Sequence, residues 1–145
     1  MAISTSDDKE SLAKELGAHH FINAKKQNAV EELQKMGGAK VIVATAPNTD
    51  IIGEIAGGLG LEGNLLVLAA TGETFEISPF TLIMGRKKVS GWPSGTAKDS
   101  EDTLNFSAMT GTTPMIETFP LEKANEAYDK MINNKARFRV VLSMK

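Results

Sequence analysis

The run Lys40-Val41-Ile42-Val43-Ala44-Thr45-Ala46, broken at Pro47-Asn48, is β-branched and continuously apolar at its centre. That is the pattern of a parallel strand buried on both faces. Ile51, Ile52, Ile55, Ala56 and Leu59 follow at helical spacing, and after Glu62-Gly63 the segment Asn64-Leu65-Leu66-Val67-Leu68-Ala69-Ala70 repeats the buried-strand pattern before ending at Thr71-Gly72. Strand, helix and strand in units of this length specify an α/β fold.

The same alternation extends outward. Upstream, Ala2 to Ser4 is strand-like. Ser6 then stands as a helix cap before acidic Asp7 and Asp8, Leu12 and Leu16 share a face, and Gly17 ends the helix. His20 to Asn23 reads as a strand, and Ala29, Val30, Leu33 and Met36 form a helical stripe that stops at Gly37-Gly38. Downstream, Ser78-Pro79 opens a short helix through Met84, with serine as cap and proline at the first helical position. Arg86 to Trp92 reads as a strand, Asp99 as the cap of a helix to Met109, and Met115 to Phe119 as extended chain. Pro120 starts a helix whose Leu121, Ala124, Tyr128 and Met131 share a face, and Phe138 to Leu142 is a last strand. The expectation is a doubly wound, mainly parallel sheet without internal repeats or linkers.

Composition narrows the function. With 145 residues and 41% hydrophobic content, one domain is the default, and a formal charge of -2 gives no electrostatic case for nucleic acid or an anionic membrane. No cysteine is present, so disulfides and thiolate metal sites are excluded. The first residues lack a secretory pattern and no run is long enough to span a membrane, which leads to the expectation of a cytoplasmic protein.

In a doubly wound sheet, ligands sit at the carboxyl ends of strands. The first such end is Ser4-Thr5-Ser6-Asp7-Asp8-Lys9. A carboxylate there would take the ribose hydroxyls of NAD, whereas hydroxyl donors and a cation suit the 2′-phosphate of NADP. Ser4 occupies the carboxylate's place, so the turn favours NADP(H), with NAD(H) as the alternative. Helix capping accounts for the same serines equally well, and Asp7 and Asp8 would repel a phosphate if aimed at it. Thr45 and Ala46, then Leu68 and Ala70, are strand ends with backbone groups able to bond a carboxamide. Gly91 permits close approach and Trp92 offers a flat apolar surface, although a lone tryptophan is more often core.

These pieces in this order resemble the cofactor domain of the medium-chain dehydrogenase/reductase family, most closely its cinnamyl-alcohol and fungal NADP-dependent alcohol dehydrogenase branch. The resemblance is carried by Leu12-Ala13-Lys14-Glu15-Leu16-Gly17-Ala18, Val43-Ala44-Thr45-Ala46-Pro47, Gly63-Asn64-Leu65-Leu66-Val67-Leu68 and Pro120-Leu121-Glu122-Lys123-Ala124-Asn125-Glu126-Ala127-Tyr128, and it covers essentially the whole chain. It implies that Ser4, Thr5, Ser6 and Lys9 surround the adenosine 2′-phosphate. It also implies that Thr45 and Ala46 lie along the cofactor and that Leu68, Ala70, Gly91 and Trp92 surround the nicotinamide. Arg139 would meet the pyrophosphate, against the alternative of a surface charge on an edge strand.

The resemblance further implies a GxGGxG turn and first strand upstream of Ala2. It places the catalytic domain, with its zinc ligands, outside this chain, and makes residues from about 115 to 145 the return toward that domain. Gly57-Gly58-Leu59-Gly60 is no substitute for the phosphate turn, because it follows a helix and precedes a strand. His19-His20 cannot form a zinc site, since neighbours on a strand point to opposite faces. The expected function is the NADP(H)-binding portion of an enzyme moving a hydride between an alcohol or aldehyde and nicotinamide, inactive alone. Its alternatives are a zinc-free quinone oxidoreductase portion and a non-catalytic module. The resemblance implies a homodimer paired through residues 87–91, against the alternative that Arg86-Lys87-Lys88 guard a free edge from association.

Overall fold

The computed structural model describes residues 1–144, which form an α/β fold of parallel strands alternating with helices in two compact units, Met1–Ser94 and the residues from Gly95 onward. In the first unit, β1 (Ala2–Ser4) leads through a 3-10 turn at Asp7–Lys9 to α1 (Glu10–Glu15), followed by β2 (Phe21–Asn23), α2 (Ala29–Lys35), β3 (Ala39–Ala44) and α3 (Thr49–Ile55). Then come β4 (Leu59–Val67), α4 (Pro79–Ile83) and β5 (Lys88–Gly91). The second unit holds α5 (Ala97–Thr110), β6 (Ile116–Pro120), α6 (Ala124–Ile132) and β7 (Arg139–Ser143).

The sheet of the first unit is divided between β1 and β3, the place that the resemblance gives to the first strand expected upstream of Ala2. β1 pairs only with β2, while β3, β4 and β5 form a second sheet in that order, and β6 pairs with β7; every pairing is parallel. Among the described residues, β1 and β3 each keep one edge without a strand beside it. The two sheets of the first unit are joined by a shared core instead of a hydrogen-bonded ladder. Ile22 of β2, Leu33 of α2, Ile52 and Ile55 of α3, and Leu59 and Leu65 of β4 form one buried cluster.

That core covers one face of the three-stranded sheet. Ile42 and Ala44 pack against it, but Val41 and Val43 are 55% and 50% exposed, which corrects the expectation of a strand buried on both faces. The side-chain alternation of a strand sends these two valines to the face opposite the core that α2 and α3 help to build. β4 also begins earlier than its composition suggests, at Leu59, so that Glu62-Gly63 lies inside the strand. The chain accommodates this with a positive φ at Glu62 and a register shift between Ala39 and Val41.

Local chemistry fixes the helix ends. Asn28 and Asn48 cap α2 and α3 by accepting from the amides of Glu31 and Ile51, each at 3.1 Å. At the end of α2, Gly37 N–H donates to Gln34 O and Gly38 N–H to Leu33 O, both at 2.9 Å, which is a Schellman closure. Gln34 then reaches across to donate to Gly57 O (2.6 Å) and Leu59 O (3.0 Å), satisfying carbonyls where the chain leaves α3. Gln34→Ala is therefore expected to lower stability by about 1–2 kcal/mol, because two carbonyls lose one shared donor. An unchanged urea midpoint would assign those carbonyls to solvent.

In the second unit, Thr96 rather than Asp99 caps α5. Asp99 sits at the third helical position and completes a capping box. Pro120 ends β6 instead of opening a helix, and the Leu121, Tyr128 and Met131 face is exposed, with Ala127 the buried residue of α6. Glu117 of β6 accepts from Lys130 Nζ of α6 and from Arg137 N (2.7 Å), and these bonds hold its carboxyl below the usual range.

Candidate functional site

Parallel pairing brings the carboxyl ends of each sheet's strands to one edge, and most of the candidate residues lie on those edges. At the end of β3, Thr45 and Ala46 are exposed. Ala44 O accepts from Leu68 N (2.9 Å) and Ala69 N (3.1 Å), so the chain leaving β4 is drawn across the end of β3. Trp92 N donates in turn to Val67 O at 3.2 Å, carrying the ladder one residue past β5. Thr45, Ala46, Leu68, Ala70, Gly91 and Trp92 thus line one edge of the three-stranded sheet. Trp92 is 59% exposed, so it is not a core residue. Gly91 has no need of glycine within the chain: an added Cβ would meet only Val67 O, at an ordinary 3.7 Å.

The loop after β4 is anchored in front of this edge. Glu73 N donates to Thr71 Oγ1 (3.2 Å), and its carboxylate accepts from Thr49 Oγ1 at the start of α3 (3.3 Å). Phe75 and Ile77 pack against the core.

Ser4, Thr5, Ser6 and Lys9 follow one another at the end of β1. Ser6 occupies the cap position of the 3-10 turn without making a side-chain capping bond. Among the described residues, the hydroxyls of Ser4, Thr5 and Ser6 and the ammonium of Lys9 have no hydrogen-bonding or ionic partner. Three hydroxyl donors and a cation without partners form a set suited to an anion with several oxygens, such as a phosphate monoester. Arg139 opens β7 in the second unit and is exposed, with its backbone N–H donating to Met115 O at 3.2 Å.

One part of this region escaped sequence reasoning. Asn23, only 6% exposed, ends β2 and donates from Nδ2 to Asp7 Oδ1 at 2.6 Å, while Lys26 Nζ binds Asp7 Oδ2. The Asn23 amide and the Lys26 ammonium hold the Asp7 carboxyl below the usual carboxylate range. The strand-end rule pointed to β1, β3, β4 and β5; applied also to β2, it would have found Asn23.

Among the described residues, no three His, Asp or Glu side chains gather so as to hold a metal ion, and no helix is long and apolar enough to cross a membrane.

Comparison with known proteins bears on the family and the fold. The sequence profile of the zinc-binding dehydrogenase family matches residues 1–109. The chain is 42% identical over 144 residues to alcohol dehydrogenase patD of Penicillium expansum and 38% identical over 144 residues to alcohol dehydrogenase notN of an Aspergillus species. Each alignment takes in 99% of this chain and 42% of the relative, so the chain spans well under half the length of these curated relatives. A solved cinnamyl alcohol dehydrogenase from Sorghum bicolor superposes with a TM-score of 0.79 at 26% identity, covering 97% of this chain and 39% of that one. With that profile across three quarters of its length and these relatives along nearly all of it, the chain belongs to the zinc-type, medium-chain alcohol dehydrogenase family.

Proposed function

We propose that this chain is the NADP(H)-binding portion of an alcohol dehydrogenase that moves a hydride between an alcohol or aldehyde and the nicotinamide. The observation that carries the cofactor choice is the partnerless set of Ser4, Thr5, Ser6 and Lys9 at the end of β1. A 2′-phosphate offers acceptor oxygens to hydroxyl donors and a charge to balance a cation, whereas a bare ribose offers no charge. The bound nicotinamide supplies the hydride chemistry, and the residues of this chain hold and orient it. Thr45 and Ala46 would lie along the dinucleotide, and Leu68, Ala70, Gly91 and Trp92 would bound the nicotinamide ring.

The divided sheet supports the same reading. In a six-stranded order 3-2-1-4-5-6, β2 and β1 take the places 3-2, and β3, β4 and β5 take the places 4-5-6. The strand between them, with its glycine-rich phosphate turn, would occupy the unpaired edges of β1 and β3. The family's zinc would be held by residues outside this chain. The outer edge of β5, all four of whose residues are exposed, is the surface through which a second copy would extend the sheet.

Titrating NADPH and NADH against the chain tests the reading through Trp92, its only tryptophan. NADPH is expected to quench Trp92 fluorescence at lower concentration than NADH. Lys9→Ala is expected to weaken NADPH about tenfold, the scale of one charge-assisted hydrogen bond, and NADH by less than about twofold. Equal losses would remove Lys9 from the phosphate, and quenching by neither nucleotide, with or without the missing strand and its glycine-rich turn supplied, would remove the cofactor from the chain.

A further inference from the structure

Two carboxylates stand directly after the hydroxyl-rich turn, and a bare carboxylate within one helical turn opposes an incoming phosphate. Asp7 is not bare. Its Oδ1 accepts from Asn23 Nδ2 at 2.6 Å and its Oδ2 is taken by Lys26 Nζ. The Asn23 amide is itself oriented: its Oδ1 accepts from Lys25 N at 3.0 Å, which leaves Nδ2 to face Asp7. The turn that delivers Lys26 is held by Lys26 N and Gln27 N donating to Asn23 O, each at 2.9 Å, and by Ala24 N donating to Ser4 O at 2.8 Å. Two consecutive strand ends are thus tied together by a carboxylate whose both oxygens are occupied and whose charge is matched. Asp8 has no such partner among the described residues.

We propose that Asp7, Asn23 and Lys26 form a brace that masks one of the two acidic charges beside the Ser4–Ser6 turn, that of Asp7, and so raises the site's preference for a 2′-phosphorylated nucleotide, with Asp7 and Lys26 as positioning residues that do not touch the phosphate. The inference rests on the reading of Ser4, Thr5, Ser6 and Lys9 as phosphate ligands. Its core is electrostatic: with Lys26 in place, Asp7 contributes a buttress without a net charge. Without Lys26, the same carboxylate becomes an uncompensated negative charge next to the phosphate's place.

The test uses adenosine 2′,5′-bisphosphate and adenosine 5′-monophosphate, two probes that differ only in the 2′-phosphate, titrated into the full chain and followed by amide resonances. Tighter binding of the bisphosphate to the unaltered chain is the result on which the underlying reading stands. No preference there would overturn that reading, and the inference with it. Given the preference, Lys26→Ala is expected to weaken the bisphosphate about three- to fivefold, the scale of one screened surface charge, while leaving the monophosphate unchanged. Adding Asp7→Asn to the Lys26→Ala chain removes the unmasked charge and is expected to restore the bisphosphate to within about twofold. Lys26→Arg keeps the pair and should keep the preference. Loss of both probes together would show a brace that acts only on the fold. Loss of the bisphosphate that Asp7→Asn does not restore would make Lys26 a direct phosphate ligand. Either result overturns the masking role.

Discussion

Gly38→Ala is expected to cost roughly 3–5 kcal/mol of folding stability, whereas Gly37→Ala, one residue earlier, is expected to cost only about 1–2 kcal/mol. Both glycines close α2 with positive φ, +93° at Gly37 and +79° at Gly38, so both substitutions carry the left-handed penalty of a residue with a Cβ. They differ in what surrounds them. A Cβ on Gly37 would meet nothing within 4 Å, but one on Gly38 would lie 2.4 Å from Gly60 Cα, 2.5 Å from Gly60 N and 3.0 Å from Leu59 C. All three are backbone atoms, so no side chain can swing aside. Relief requires the start of β4 to move away from β3, where Ala39 is paired with Leu59 and Leu59 is itself part of the core. Urea unfolding followed through amide resonances of β3 and β4 measures both variants. Equal midpoints would show that the close approach of α2's end to β4 is dispensable.

Gly37-Gly38 illustrates what a sequence makes legible. As a helix stop it is readable, because a glycine pair after an apolar helical stripe has one common use. That the second glycine is also a contact between backbones is not readable, because the atoms it meets belong to Leu59 and Gly60, far along the chain, and are identified only by the fold. The strand Lys40 to Ala46 shows the same division. Its type and direction follow from β-branched residues and the helix after it, yet the exposure of Val41 and Val43 depends on which helices cover the sheet, and a strand's composition carries no record of its neighbours. At the site, serines in a turn have two uses that look alike in sequence. Ser6 makes no side-chain capping bond, and Ser4 and Thr5 have no partner among the described residues, which counts against capping and leaves phosphate binding to the NADPH titration. Asp7 inverts that lesson. Its charge was legible and its neutralisation was not, because Lys26 and Asn23 reach it across two strand ends.

Ser4→Asp is expected to invert the cofactor preference, changing the ratio of NADPH to NADH affinity by ~100-fold, or ~2.7 kcal/mol. Ser4 is the last residue of β1, where its carbonyl accepts from Ala24 N while its hydroxyl bonds to no other described residue, so the substitution leaves the strand's own hydrogen bonds intact. A carboxylate there does two things. It removes a donor from a 2′-phosphate and sets a like charge against it, and it offers a bare ribose an acceptor for both hydroxyls. Most of the change should therefore appear as lost NADPH affinity, with a smaller gain for NADH. Ser4→Ala separates the two effects, since it deletes the donor without adding charge and should weaken NADPH by only about threefold. The comparison also bears on Asp7 and Asp8. If a third carboxylate at Ser4 reverses selectivity while Asp7, only three residues further on, is compatible with NADPH, then position and pairing govern the outcome, not the count of acidic residues. A Ser4→Asp chain that lost both nucleotides equally would place the adenosine end of the cofactor elsewhere.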